Sequence, residues 1–218
     1  AACRWIPSAR PGARPRAAPH TGRAEGGRAG AISITVGVGS SGSGGVLLVA
    51  AGETTDAQSG GALEIVSGAS TVTSSGSVQV CTSDAGNTGV SGAATFSTGS
   101  ATEGNSGGIS VLTGGSTGGR GGAIHIVVGG GNVGAGGDIL LSGGDTVDAA
   151  ASGGSIDITS GSGLQTSSGR IAVRTSNAGV AGISGDVLVS TGTSSAGNSG
   201  AITFCSGAST GGRGGAVS

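Results

Sequence analysis

Few residues of this 218-residue chain have side chains that do chemistry in proteins. It contains two histidines, three cysteines and eleven acidic residues, and its ten basic residues are all arginine. His125 is the lone histidine of the repeats described below, and spacing places no acid or nucleophile beside it. Asp145 and Asp148 are typical of exposed turn residues rather than of an acid–base pair. We therefore predict no catalytic residue and do not expect an enzyme.

Motifs for cofactors and metals are equally weak. The three cysteines lie far apart and match neither zinc nor redox spacing. GVGSSG at 37–42 fits a phosphate-binding loop, but chance matches are expected when 52 of 218 residues are glycine, and the loop lysine is missing. Asp138 and Asp186 precede apolar runs in two repeats, whereas calcium-binding repeats carry aspartates in every turn. We predict no metal site and no cofactor.

Charge is distributed unevenly along the chain. Residues 1–28 hold six arginines, one acidic residue and all four prolines. Residues 29–218 hold four arginines and ten acidic residues, a net charge of −6 that disfavours nucleic acid as a partner. No apolar run approaches the roughly 20 residues of a transmembrane helix. We expect residues 1–29 to be a disordered basic segment and residues 30–218 to form one glycine-rich repeat domain.

The elements that would position any functional residue are tandem repeats of 15 to 17 residues. Each unit opens with glycine, has apolar residues at its third and fifth positions, and ends in a half rich in Gly, Ser, Thr and Ala. GAIHIVV at 122–128 is one example, with Ile124 and Ile126 flanking His125. This period-two alternation predicts one strand of about five residues per unit. Twelve units begin at Gly30, Gly45, Gly61, Gly76, Gly92, Gly107, Gly122, Gly137, Gly154, Gly169, Gly185 and Gly200, and a partial thirteenth begins at Gly215.

The sequence also repeats in blocks longer than a single unit. Residues 104–123 match residues 197–216 at an offset of 93 positions, which is six units. Within that block, similar second halves recur every third unit, at about 46 residues. The pattern indicates growth by tandem duplication of three-unit and then six-unit blocks.

Self-similarity of this length is typical of stacked repeat architectures. Two apolar residues per unit cannot be buried by one unit alone, so neighbouring units would have to stack. We therefore predict an all-β fold, a parallel β-solenoid of about twelve strand–turn units. Each unit would form a complete coil or one face of a three-unit coil, and a β-propeller-like repeat is the alternative fold.

Three units have leucine between their two apolar residues, namely Leu48, Leu140 and Leu188. Their strands would be apolar on both faces, and all three belong to one class of the three-unit rhythm. An apolar outer face predicts that another layer or a partner covers it, by self-association through this face or end to end. Leucines scattered over an ordinary surface are the alternative.

Phrases such as GGALEIVSGAS at 60–70 and GDVLVSTGTSSAGNSG at 185–200 carry a resemblance that covers residues 30–218. They resemble the Gly/Ser/Thr-rich tandem repeats of large surface and secreted proteins of algae, other protists and some of their viruses. They are also similar in style to bacterial adhesin solenoids. The resemblance implies a non-catalytic scaffold or adhesive role at the cell surface or outside the cell, and it transfers no functional residue.

Together these patterns lead us to expect a structural or adhesive repeat protein, as a fragment of a larger surface or fibrous protein. The alternative function is a ligand-binding repeat surface for ice, polysaccharide or Ca²⁺. Ice binding would need flat ranks of threonine. The residues between the apolar pairs, which include Leu48, Glu64, His125 and Asp157, form no such rank.

Overall fold

The computed structural model describes Thr21, Glu25 and residues 27–218. These residues contain no helix and no strand, so the predicted β-solenoid is wrong, and the β-propeller-like alternative fails for the same reason. The described part of the chain also has no helix with the length and hydropathy of a membrane span. The predicted disorder of residues 1–29 falls almost entirely outside the described residues.

The fold has no hydrophobic core within its described residues, because no side chain there is buried. The accessible surface of the chain is 21739 Å². A compact protein of this mass would expose roughly 8,600 Å² and a fully extended chain roughly 29,000 Å². Most of the surface that a compact domain removes from water therefore stays exposed here.

The apolar half of each repeat is the part that the sequence assigns to a strand. We call the five residues after each unit's opening glycine its apolar segment, as in 138–142. Exposure alternates along it, at 54% for Ile139, 88% for Leu140 and 66% for Leu141, so side chains point to opposite sides in turn, as in an extended chain. No backbone–backbone hydrogen bond within the described residues involves an apolar segment. The local alternation is present, and the pairing that would make sheets is not.

The physical reason for the wrong fold prediction lies in what each unit contributes. Each apolar segment has two less exposed apolar positions, and loops rich in glycine separate it from the next segment. Ordering such loops costs more backbone entropy than ordering other residues, and two half-exposed side chains per unit return little burial. Alternation predicts which side a residue takes and says nothing about whether a second strand lies beside it.

The loop half of each repeat bends once, and the bends keep the register of the repeat. In the units of 15 residues the bend begins ten residues after the opening glycine. In the four longer units it begins eleven or twelve residues after it, so the extra residues lie in the loops and the apolar segments keep a constant length. The twelve bends lie at 40–43, 56–58, 71–73, 87–88, 102–104, 117–119, 132–134, 149–150, 164–166, 180–181, 195–197 and 210–212.

Glycine is required at three of these bends by its backbone conformation. Gly42, Gly104 and Gly134 have φ of +77°, +108° and +78°, a region that side chains with a Cβ rarely adopt. At three other bends, 56–58, 71–73 and 149–150, oxygen atoms of Thr, Asp or Ser side chains accept hydrogen bonds from nearby amides. The chain divides into two larger parts, Ala1–Ser110 and Val111–Ser218, each containing several repeats. Each part has bends with a positive-φ glycine and bends without one.

Candidate functional site: loop necks and apolar segments

Each loop is closed at a neck, where its two ends meet. The neck residue is the one that follows the apolar segment, and the closing glycine is the one that opens the next unit. A Cβ added to any of the twelve closing glycines would lie within 4 Å of the neck residue or of the residue after it. The loops are therefore Ω-like, with their ends close together. Four closing glycines leave little room for a Cβ, which would lie 2.6 to 3.1 Å from the neck at Gly45, Gly61, Gly137 and Gly154.

Four necks are closed by a backbone hydrogen bond. The amide of Gly61 donates to the carbonyl of Gly52 at 2.9 Å, and the equivalent bonds join Gly76 to Gly68 at 2.9 Å, Gly154 to Gly144 at 2.8 Å and Gly169 to Gly161 at 2.8 Å. The neck residues of these loops are small and lack a β-branch: Ala51, Ser67, Gly143 and Ser160. Three of them, Ser67, Gly143 and Ser160, are among the four described residues that are half-buried rather than exposed.

Seven necks have a β-branched residue, and none of these forms the backbone bond. Valine approaches most closely: a Cβ on Gly45 would lie 2.6 Å from Val36 Cγ1, and one on Gly137 would lie 2.8 Å from Val128 Cγ1. At the threonine necks the corresponding contacts are near 3.5 Å, as between Gly200 and Thr191 Cγ2. The branched side chain occupies the space through which the two backbones would approach. These neck residues are Val36, Thr82, Thr98, Thr113, Val128, Thr175 and Thr191.

Two necks close differently from the other necks with the same kind of residue. At Thr113 the hydroxyl donates to the carbonyl of Gly122 at 3.3 Å, so a side-chain bond replaces the missing backbone bond. Ser206, in the last loop, is small but has no backbone bond to Gly215. A small neck residue therefore permits closure without guaranteeing it.

The hydrogen-bonded loops recur at the six-unit offset seen in the sequence. The loop 52–61 contains a turn at Asp56. The Asp56 amide donates to Thr54 Oγ1 at 3.2 Å, and the Asp56 carboxylate accepts from the Ala57 amide at 2.8 Å. In the loop 144–154 the Asp148 amide donates to Thr146 Oγ1 at 3.1 Å, and its carboxylate accepts from the Ala150 amide at 2.9 Å. Duplicated sequence has therefore produced duplicated local structure.

The apolar segments offer the candidate interaction surface. Leu48, Leu140 and Leu188, predicted to form an apolar outer face, are 82%, 88% and 86% exposed. The residues on either side of them are less exposed but far from buried, as for Ile139 and Leu141 above. Within the described residues both faces of these segments are open to solvent. Whether a partner covers the leucine face stays a prediction.

The residues that could do chemistry are spread over different units. His125 lies in the middle of the segment 123–127, and Asp138 and Asp186 open two other segments. Cys81 and Cys205 are exposed free thiols at the last position of their segments. No group of three His, Cys, Asp or Glu side chains in the described part of the chain is arranged to hold a metal ion.

Comparison with known proteins adds no relative. Protein-family models, curated proteins and solved structures all gave no match to this chain.

Sequence reasoning missed the neck as a structural element. The signal was present, because the position after each apolar segment is either small or β-branched. It looked like ordinary variation at the end of a strand, since a strand tolerates both kinds of residue on its exposed side. Its meaning depends on a contact with a glycine about nine residues later, which only the folded loop reveals.

Proposed function

We propose that this chain is a non-catalytic structural or adhesive repeat protein that acts at the cell surface or outside the cell. The observation that supports this most directly is the constant geometry of the repeat: in all twelve units an exposed apolar segment is followed by one bent loop. The chain therefore presents the same surface many times. Such repetition favours multivalent contact, in which many weak and identical sites act together.

Two further features support this function. The closing glycines and loop turns give each unit its own local restraint, so the array can vary in number without a shared core. The repeat body carries few charges for its length, which leaves apolar and hydroxyl groups as its main means of contact. The described residues contain one repeated design with local variations, as expected of a scaffold.

The location is tested by labelling intact producing cells with an antibody against a loop peptide, such as residues 114–121. We expect labelling of unpermeabilised cells or of the material around them. An antibody against a known intracellular protein of the same cells is the control for membrane integrity. Labelling that appears only after permeabilisation would contradict the proposal.

The adhesive role is tested with beads coated with the full chain and mixed with the producing cells. We expect the coated beads to be retained on the cells more strongly than beads coated with serum albumin. Equal retention of the two kinds of bead would remove adhesion from the proposal and leave only the structural role.

A further inference from the structure

The apolar segments have two features that favour binding by another chain. Their side chains keep much of their apolar surface in water, as with Ile124 at 52% and Ile126 at 70% exposure. Within the described residues, their backbone amides and carbonyls also make no backbone hydrogen bond. A segment with free main-chain groups and alternating apolar side chains is a template for strand addition by another chain.

The exposed area is large enough for a stable complex. The exposed parts of the paired apolar positions, taken over the twelve units, hold on the order of 1,000 Å² of apolar surface. A standard protein–protein interface buries about 800 Å² on each partner. The segments therefore exceed what one specific dimer needs, even if some of them stay free.

The repeat spacing indicates which partner would use this area. Segments recur every 15 to 17 residues, with constant length and with loops between them. A partner with a different spacing could cover one segment but would lose register at the next. A second copy of this chain has the same spacing throughout, so pairing at one segment raises the effective concentration at its neighbours.

Charge is compatible with this pairing. Only a few segment residues are charged, and the central positions of most segments are neutral. Glu64 and Asp157 are the two acidic central residues, in units three and nine. The rest of the acidic residues lie in loops or at the ends of segments, where like charges need not face each other directly.

We propose that the apolar segments are the interface through which a second copy of this chain binds, with segments of the two copies pairing as strands. The proposal rests on the structural function above and names the partner for it. Leu48, Leu140 and Leu188 lie on the face of their segments opposite to the paired apolar residues. They extend the apolar surface of their segments to the opposite face.

The test compares two triple variants that add the same charge in the same three units. The segment variant is Ile124→Asp, Ile139→Asp and Ile156→Asp, and the loop variant is Val133→Asp, Val147→Asp and Leu164→Asp. All six side chains are exposed, so neither variant removes a buried contact. Sedimentation velocity over a concentration series, on the full chain, measures the association of each.

We expect the unmodified chain and the loop variant to associate with similar dissociation constants. The segment variant should bind at least about tenfold more weakly, because three charges would have to enter the paired segments. A monomeric unmodified chain overturns the proposal, since some other partner would then be needed to cover the segments. Equal weakening in both variants also overturns it, because general charge repulsion would explain the result.

Amide hydrogen exchange on the unmodified chain gives a second measurement that needs no variant. As concentration rises, segment amides such as those of Ile124 and Ile126 should become protected, while the amide of Val133 in the adjacent loop should not. Protection of loops and segments alike would overturn pairing through the segments. A chain that labels at the cell surface yet stays monomeric would disprove the pairing and leave the proposed function standing.

Discussion

The loops with small necks and the loops with β-branched necks are built from the same repeat, yet they close differently. Gly68 and Gly76 are joined by a backbone hydrogen bond beside Ser67, whereas Gly129 and Gly137, beside Val128, are not. The neck residue has a β-branch in one loop and none in the other. Where the described residues have no buried core, the local restraints depend on whether two backbones can approach.

This comparison also separates the two roles of glycine. At Gly45, Gly61, Gly137 and Gly154 glycine serves packing, because a Cβ would lie 2.6 to 3.1 Å from the neck. At Gly42, Gly104 and Gly134 it serves conformation, because φ is positive. Many other glycines, such as Gly114 and Gly144, have open space around the place of a Cβ. They leave the unfolded chain flexible, and a Cβ in these places would gain no contact.

The largest effect is expected from Gly143→Ala. A Cβ at this neck would collide with the carbonyl oxygen of Gly154, which belongs to the backbone and cannot rotate away. The neck must open and lose its hydrogen bond, so exchange of the Gly154 amide should accelerate about tenfold or more. The matched control is Gly144→Ala, whose Cβ would have nothing within 4 Å. Equal acceleration in both would show that glycine content, rather than contact at the neck, sets closure.

A smaller effect is expected from Gly137→Ala, where the obstacle is a side chain. Its Cβ would lie 2.8 Å from Val128 Cγ1, so the valine side chain must move away from the neck. The nuclear Overhauser contact between the Val128 methyl and residue 137 should disappear. Adding Val128→Ala should restore contact between the two neck positions. Gly136→Ala, with open space around its Cβ, serves as the control, and failure of the double variant to recover would refute the steric explanation.

The smallest effect is expected from exchanging the two kinds of neck. Ser67→Thr adds one methyl group and should accelerate exchange of the Gly76 amide about two- to fivefold, through partial loss of its bond to Gly68. Thr98→Ala should slow exchange of the Gly107 amide about twofold, because the backbones gain room to approach. Opposite signs are the essential result. Changes of the same sign in both amides would show that the branch at the neck does not control closure.

How far sequence reasoning reached can be judged from particular residues. Alternation predicted that Ile139 and Leu141 share one side while Leu140 takes the other, and their exposures follow that pattern. The same alternation was extended to a paired, stacked sheet, and that step was wrong. Periodicity describes one segment at a time, whereas pairing depends on long-range contacts that a single unit does not encode.

The candidate surface was predicted only in part. The leucines at 48, 140 and 188 were predicted to form an outer apolar face covered by another layer or a partner; the structure leaves them exposed, and their partner stays a prediction. The necks went unrecognised, because the contact between Ser67 and Gly76 has no counterpart in strand or turn rules. The turn at Asp148 lay between these cases: an exposed turn residue was expected there, but the similar turn at Asp56 was not.

The sequence by itself determined the unit, its length, the side taken by each apolar residue and the loop half in which each bend lies. These properties are local, since they follow from β-branching, from glycine and from short polar side chains within a few residues. Only the tertiary structure decided that segments stay unpaired and that loops close at necks. Both outcomes depend on which backbones meet across a loop or between segments, and in the described loops the backbone bond at the neck forms only where the neck residue has no β-branch.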